Sequence, residues 1–241
     1  MEAQANSTAT LQVLGTGSSG NGYILRCGAD VLLLECGVKL DTVLQALDYD
    51  ISNVAGVLVT HKHGDHAKYA TEYVKILTAY GNAEIDVLKP LEPKKRYKIG
   101  GFDVIPLAVP HGDCLCNAYY IHHTACGWLL FCTDAERFSY KLKPLPDNIV
   151  IECNYIQDVV LEHLSKGEEV RSNYGSHMEL SDTIDAVTRL WSEKLRNVVL
   201  IHRSKGNFVA DTAKNEFMRW AKIMPIVAKS GDVIGLGECD Y

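Results

Sequence analysis

Residues 57–66 read Val-Leu-Val-Thr-His-Lys-His-Gly-Asp-His, and this stretch limits what the chain can fold into more than any other. Val57, Leu58 and Val59 form a short, β-branched-rich apolar run of the kind that becomes a strand buried on both faces, and Thr60 begins its exit. Four potential metal ligands, His61, His63, Asp65 and His66, follow within six positions. In locally extended backbone alternate side chains share a side, so His61 and His63 can hold one cation. Gly64 then permits a tight turn that aims Asp65 and His66 at a second cation a few ångströms away. Imidazole and carboxylate together favour Zn(II), while Mn(II) and Fe(II) accept the same donors.

His-x-His-x-Asp-His at a strand end resembles the first ligand motif of the metallo-β-lactamase-fold hydrolases. That resemblance implies an α/β chain folded as a four-layer αββα sandwich in a single domain, with two Zn(II) ions as cofactor. Oxygen-reducing di-iron members carry a ligating acid where this chain has Lys62, so the resemblance favours hydrolysis. The rest of the chain fits such a sandwich. Strands are expected at Leu11–Leu14, Gly22–Arg26, Val31–Leu34, Ile85–Leu88, Phe102–Pro106, Ala118–His122, Trp128–Cys132, Ile149–Ile151, Val198–Ile201, Pro225–Ala228 and Val233–Leu236. Leu40, Val43, Leu44 and Leu47 recur at helical spacing, as do Tyr69, Tyr73, Ile76 and Leu77, and further helices are expected near 155–166, 180–194 and 211–223. The glycine-rich turn 15–21 lacks the Lys-Ser/Thr ending of a nucleotide-binding loop but can border a pocket.

The remaining ligands implied by the resemblance also close apolar strands. His111 would complete a three-imidazole set with His61 and His63, Asp134 would bridge both ions, and His202 would join Asp65, His66 and Asp134. Glu35 stands where the family usually has an aspartate, in a supporting role beside the ligands. His122 and His123 match no motif position and are read as structural.

The resemblance narrows further to the phosphodiesterase and nuclease branch, similar to the tRNA 3′-processing endonucleases and small bacterial exonuclease-like proteins. There an acid at a strand end, a His at a helix start and a final His-x-Ser occur in order, matched by Glu152, His177 and His202-Arg203-Ser204. The implied catalytic set is Asp65, the proton acceptor for a metal-bridging water, with the dyad His177 and Glu152 assisting departure of the leaving oxygen. The alternative chemistry on the same metals is hydrolysis of a lactone or thioester carbonyl.

Formal charge −6 and pI near 5.8 argue against a broad basic surface for long duplexes. The expected partner is a phosphodiester in short or single-stranded nucleic acid or a nucleotide. Lys94-Lys95-Arg96, after Pro90 and Pro93, reads as a solvated turn. Residues 1–10 are expected to be a polar tail and 11–241 the hydrolase domain, with no signal segment or membrane-length apolar run, hence a cytoplasmic protein without a membrane partner. Eight scattered cysteines fit reduced thiols, with Cys114 and Cys116 ordinary loop thiols near His111.

Overall fold

A computed structural model describes residues 9–168, 170 and 173–237. Strands β1 (Ala9–Gly15), β2 (Gly22–Cys27), β3 (Asp30–Leu34), β4 (Val54–Leu58), β5 (Ala79–Gly81) and β6 (Lys89–Pro90) lie side by side in that order. The second sheet is built from β7 (Tyr97–Ile99), β8 (Phe102–Val109), β9 (Cys116–His123), β10 (Gly127–Cys132), β11 (Asn148–Glu152), β12 (Asn197–Ile201) and β13 (Ile226–Val227). The last strand, β14 (Val233–Gly235), returns to pair antiparallel with β1, so each sheet has seven strands. The β3–β4–β5–β6 and β10–β11–β12–β13 pairings are parallel and the others antiparallel.

Burial follows from this stacking. The five residues of β11 are all buried, as a strand flanked by parallel neighbours and covered on both faces must be. One core fills the space between the sheets with Leu11, Leu25, Leu32, Phe102, Tyr119, Phe131, Val150 and Val199. A second lies between the β7–β13 sheet and helices α4 (Gln157–Ser165), α5 (Leu180–Arg189) and α6 (Ala210–Trp220), through Leu130, Ile151, Ile184, Val187 and Phe217. The third packs α1 (Leu40–Ala46) and the short helices α2 (Gly64–Ala67) and α3 (Ala70–Tyr73) on the first sheet, through Val43, Leu47, Ala70 and Tyr73. Each large apolar side chain withdrawn this way contributes about 1.5–3 kcal/mol before the entropy of ordering is subtracted. The result is the expected αββα sandwich, a single domain.

Several local expectations are corrected. Ile85–Leu88 is not a strand but part of a turn between β5 and β6, because Ile85 and Leu88 both point into the third core and leave no alternation. The helix after the metal motif is two single turns, with Asp65 and His66 inside α2, so Gly64 opens a helix. α5 stops at Arg189, five residues early, as Leu190 leaves helical geometry. β1 begins at Ala9, inside the expected tail, while residues 1–8 and Cys239 lie outside the described residues. The seven described cysteines are free, all buried except Cys114. His122 and His123 face opposite sides of β9, one beside Trp128 and the other 3.2 Å from Asp30, both away from the histidine cluster. No described helix is long and apolar enough to cross a membrane.

One close approach anchors the site to the fold. A Cβ on Gly37 would stand 1.7 Å from the Asp65 carbonyl oxygen and 2.6 Å from the Asn21 nitrogen, so only glycine lets the β3 exit pass against α2. We expect Gly37→Ala to lose about 3 kcal/mol in urea unfolding, the scale of an overpacked interior, together with metal affinity. Unchanged midpoint and metal content would contradict this packing.

Candidate metal centre

Seven of the implied residues converge where the two sheets open at their strand ends. His61 Nε2 is 3.0 Å from His63 Nδ1, which is 3.1 Å from His111 Nε2. Asp134 Oδ2 stands 3.6 Å from His61 Nε2 and 3.7 Å from His111 Nε2. Its other oxygen, Oδ1, is 3.3 Å from His66 Nε2. His66 Nε2 is also 3.4 Å from Asp65 Oδ2, which is 3.3 Å from His202 Nε2. Two donor groups match the implied ligand sets and share Asp134: His61, His63, His111 and Asp134, and Asp65, His66, Asp134 and His202; a third, Asp134, Glu152, His177 and His202, overlaps them. Within each group one atom per residue lies within 4.8 Å of the others.

The chemistry of the donors fits cations. His111 Nδ1 donates to the Ser176 carbonyl at 2.7 Å, so Nε2, the nitrogen turned toward His63, is the one left to act as a ligand. Converging lone pairs repel unless a positive charge sits among them. Burial and the neighbouring His66 charge push the His61 imidazole down to about 2, so it does not supply that charge as a proton. In the other group burial opposes a proton on His202. The Asp134 carboxylate and hydrogen bonds to Asp65 and Glu152 outweigh it and push the ring up to about 10. Burial likewise raises Asp65, yet hydrogen bonds from His202 and His66 hold it well below the usual carboxylate range. This corner is built to collect positive charge.

Backbone and supporting side chains fix these positions. Glu35, Asp134 and His202 all have positive φ, at 71°, 49° and 50°, conformations that cost non-glycine residues about 1–3 kcal/mol and persist when their surroundings enforce them. His202 N donates to Thr16 Oγ1 at 2.9 Å, and Asn154 Nδ2 donates to the His202 carbonyl at 2.8 Å. Glu35 Oε2 accepts from Thr60 N at 3.2 Å, while its Oε1, otherwise without a hydrogen bond, faces His66 Nδ1 at 3.4 Å. The longer acid thus still reaches the imidazole. Asn21 is a residue that sequence reasoning missed. Buried in the glycine-rich turn, it accepts from Gly17 N at 2.8 Å and donates from Nδ2 toward the Asp65 carbonyl at 3.2 Å and carboxylate at 3.4 Å. The only sequence signal was its place at the end of that turn.

Glu152 and His177 stand beside this centre. His177 Nδ1 is 2.7 Å from Glu152 Oε1, and that same oxygen is 2.9 Å from His202 Nδ1. Glu152 Oε2 accepts from Ala135 N at 3.0 Å and Met178 N at 3.2 Å. Burial opposes charge on both partners, but their mutual hydrogen bond outweighs it, holding Glu152 below and His177 above their ordinary values. The His177 ring lies 5.3 Å from the rings of both His111 and His202. Cys114 is half-buried at the rim, near Glu84, and Cys116 is buried.

The family described as Anti-Pycsar protein Apyc1 matches residues 9–86. Anti-Pycsar protein Apyc1 of Paenibacillus xerothermodurans is 33% identical over 69 residues, which is 26% of this chain and only 28% of that protein. Exodeoxyribonuclease WalJ of Streptococcus pneumoniae serotype 2 is 24% identical over 234 residues, covering 83% of this chain and 84% of the relative. Among solved structures, the metallo-β-lactamase-fold protein YhfI of Bacillus subtilis superposes with a TM-score of 0.71 at 18% identity, over 95% of this chain and 99% of that one. The chain has the metallo-β-lactamase fold.

Proposed function

We propose that this protein is a dinuclear zinc-dependent phosphodiesterase or nuclease. The observation that carries the reading is the 2.7 Å His177–Glu152 pair, which adjoins the two implied ligand groups without belonging to either. A phosphodiester losing a poor alkoxide gains more from such an acid than a thioester losing a thiolate does. The length-wide similarity to an exodeoxyribonuclease supports the same class.

Two divalent cations held by these groups would supply Lewis acidity, acidifying water and neutralising charge on phosphoryl oxygens. Asp65 is the proton acceptor: its carboxylate is kept ionised, lies beside both His66 and His202, and is only partly buried. Glu152 holds His177 by Nδ1, which fixes the tautomer and raises the ring's proton affinity. The ring's N–H protonates the departing oxygen or holds a nonbridging one. The substrate is a short or single-stranded nucleic acid or a nucleotide phosphodiester.

The test is metal-replete protein presented side by side with bis(p-nitrophenyl) phosphate, labelled oligonucleotides, cyclic dinucleotides, a lactone and a thioester. Turnover of phosphodiesters above the carbonyl substrates is expected. Preference for the lactone or thioester would overturn the reading.

A further inference from the structure

Two chain segments leave the metal centre together. Running back from His111, the chain passes Pro110 and then Ala108 and Pro106 of β8; running forward from Asp134, residues 135–143 form a strap along it. Glu136 N donates to the Pro110 carbonyl at 2.9 Å and Tyr140 Oη to the Ala108 carbonyl at 2.9 Å. Farther out, Lys94 N donates to the Pro106 carbonyl at 2.7 Å, and Tyr120 Oη holds the Pro144 carbonyl at 2.6 Å.

Burial alternates along the strap. Phe138 and Leu142 are buried and Tyr140 half-buried, all in the helix-side core, while Arg137, Ser139, Lys141 and Lys143 are exposed. Three cations therefore project at intervals of two or four residues from a segment that begins at an implied metal ligand. At roughly 3.3 Å per residue, extended backbone spaces such cations by about 7–13 Å. Two more join them at the far end: Lys94 Nζ lies 5.8 Å from the Tyr140 ring centroid, and the Arg96 guanidinium 5.7 Å from that of Trp128.

Most charges on this line form no ion pair. Some exposed cations elsewhere pair off, as in Lys62–Glu84, Lys166–Glu162, Arg189–Asp185 and Arg196–Asp147, while others, such as Lys39, Lys75 and Lys194, do not among the described residues. Arg137, Lys141, Lys143, Lys94 and Arg96 make no ion pair among the described residues. Aromatic faces hold Lys94 and Arg96 in place without neutralising them. Arg137 does act on the Asp182 carboxyl, which it pulls downward against burial; of the acids next along the chain, Glu136 Oε1 accepts from Gly112 N at 3.0 Å, Glu92 pairs with Lys95 and Asp103 with Lys98. In a chain of net charge −6, five cations gathered along one strap that starts beside an implied metal ligand are a local concentration of positive charge.

We propose that the strap 137–143, with Lys94 and Arg96, is a phosphate-binding track that guides single-stranded nucleic acid into the metal centre. The partner is single-stranded because the line is one cation wide and partly irregular backbone, which a flexible strand can follow and a duplex cannot. This rests on the phosphodiester reading above, and it revises the expectation that residues 94–96 are only a solvated turn. It also predicts that affinity grows with strand length, since each phosphate seated adds a contact.

The experiment compares the native protein with the triple charge reversal Lys94→Glu, Lys141→Glu, Lys143→Glu, all exposed positions outside the metal centre. Fluorescence anisotropy with a labelled single-stranded DNA 15-mer, on chelated protein so that nothing is cleaved, gives affinity against salt. The reversal should weaken binding about tenfold or more and reduce the slope of log K against log[salt] by about 2, near 0.7 for each of three lost phosphate contacts. Metal content, the unfolding midpoint and turnover of bis(p-nitrophenyl) phosphate should not change. An unaltered affinity and slope, or equal loss on the 15-mer and the small substrate, would overturn the track. So would binding of anionic phosphatidylserine vesicles in place of the oligonucleotide. Binding is read without catalysis, so a protein that binds the 15-mer through these residues but cleaves no phosphodiester would sink the proposed function and leave the track standing.

Discussion

His177→Ala is expected to retain both metals and the fold while lowering turnover of an alkyl phosphodiester by about a hundredfold or more, the usual scale for a positioned acid. The structure explains why the fold should survive. Glu152 loses one of four partners and keeps His202 Nδ1 and the amides of Ala135 and Met178, so no buried charge is stranded. The same network makes Glu152→Ala a poorer probe, since it would release four groups at once. Leaving-group dependence is the decisive readout. p-Nitrophenolate needs no proton, so bis(p-nitrophenyl) phosphate should suffer far less than a dinucleotide. Equal loss on both would point to binding or folding, and no loss on either would remove the support for the phosphodiesterase reading.

Asp65→Ala should be more severe, about four orders of magnitude in turnover, because the side chain serves as both implied ligand and proton acceptor. The loop should nevertheless hold its shape. It is the Asp65 backbone carbonyl, not the carboxylate, that accepts from Asn21 N at 2.7 Å and packs against Gly37. Circular dichroism should match the native spectrum, and metal analysis should show the group containing His66 and His202 weakened while that containing His61, His63 and His111 is retained. Full activity in this variant would place the chemistry elsewhere.

Much of this arrangement was legible in the sequence because the candidate site residues end apolar strands, and strands are what the hydrophobic pattern reveals. His61, His111, Asp134, Glu152 and His202 each close a run such as Phe131-Cys132 or Val199-Leu200-Ile201, so finding the strand finds the candidate residue. What pattern could not supply was contact between segments distant in sequence. Asn21 reaches Asp65 across 44 residues, and Thr16 holds His202 across 186, through hydrogen bonds that leave no periodicity. The turn at 82–88 was misread because Ile85 and Leu88 are apolar for packing, not for strand alternation. The basic strap escaped notice for a related reason. Arg137, Lys141 and Lys143 look like scattered charges until their burial alternation and the neighbouring Lys94 are seen together.

Everything in the proposed chemistry depends on two cations sharing Asp134. Anomalous diffraction at the zinc edge, on crystals of protein purified with excess zinc, addresses this directly. We expect two peaks about 3.5–4 Å apart. One should lie among His61, His63 and His111 and the other among Asp65, His66 and His202, with one Asp134 oxygen directed to each. A single peak, or peaks at exposed acids away from Asp134, would contradict the account.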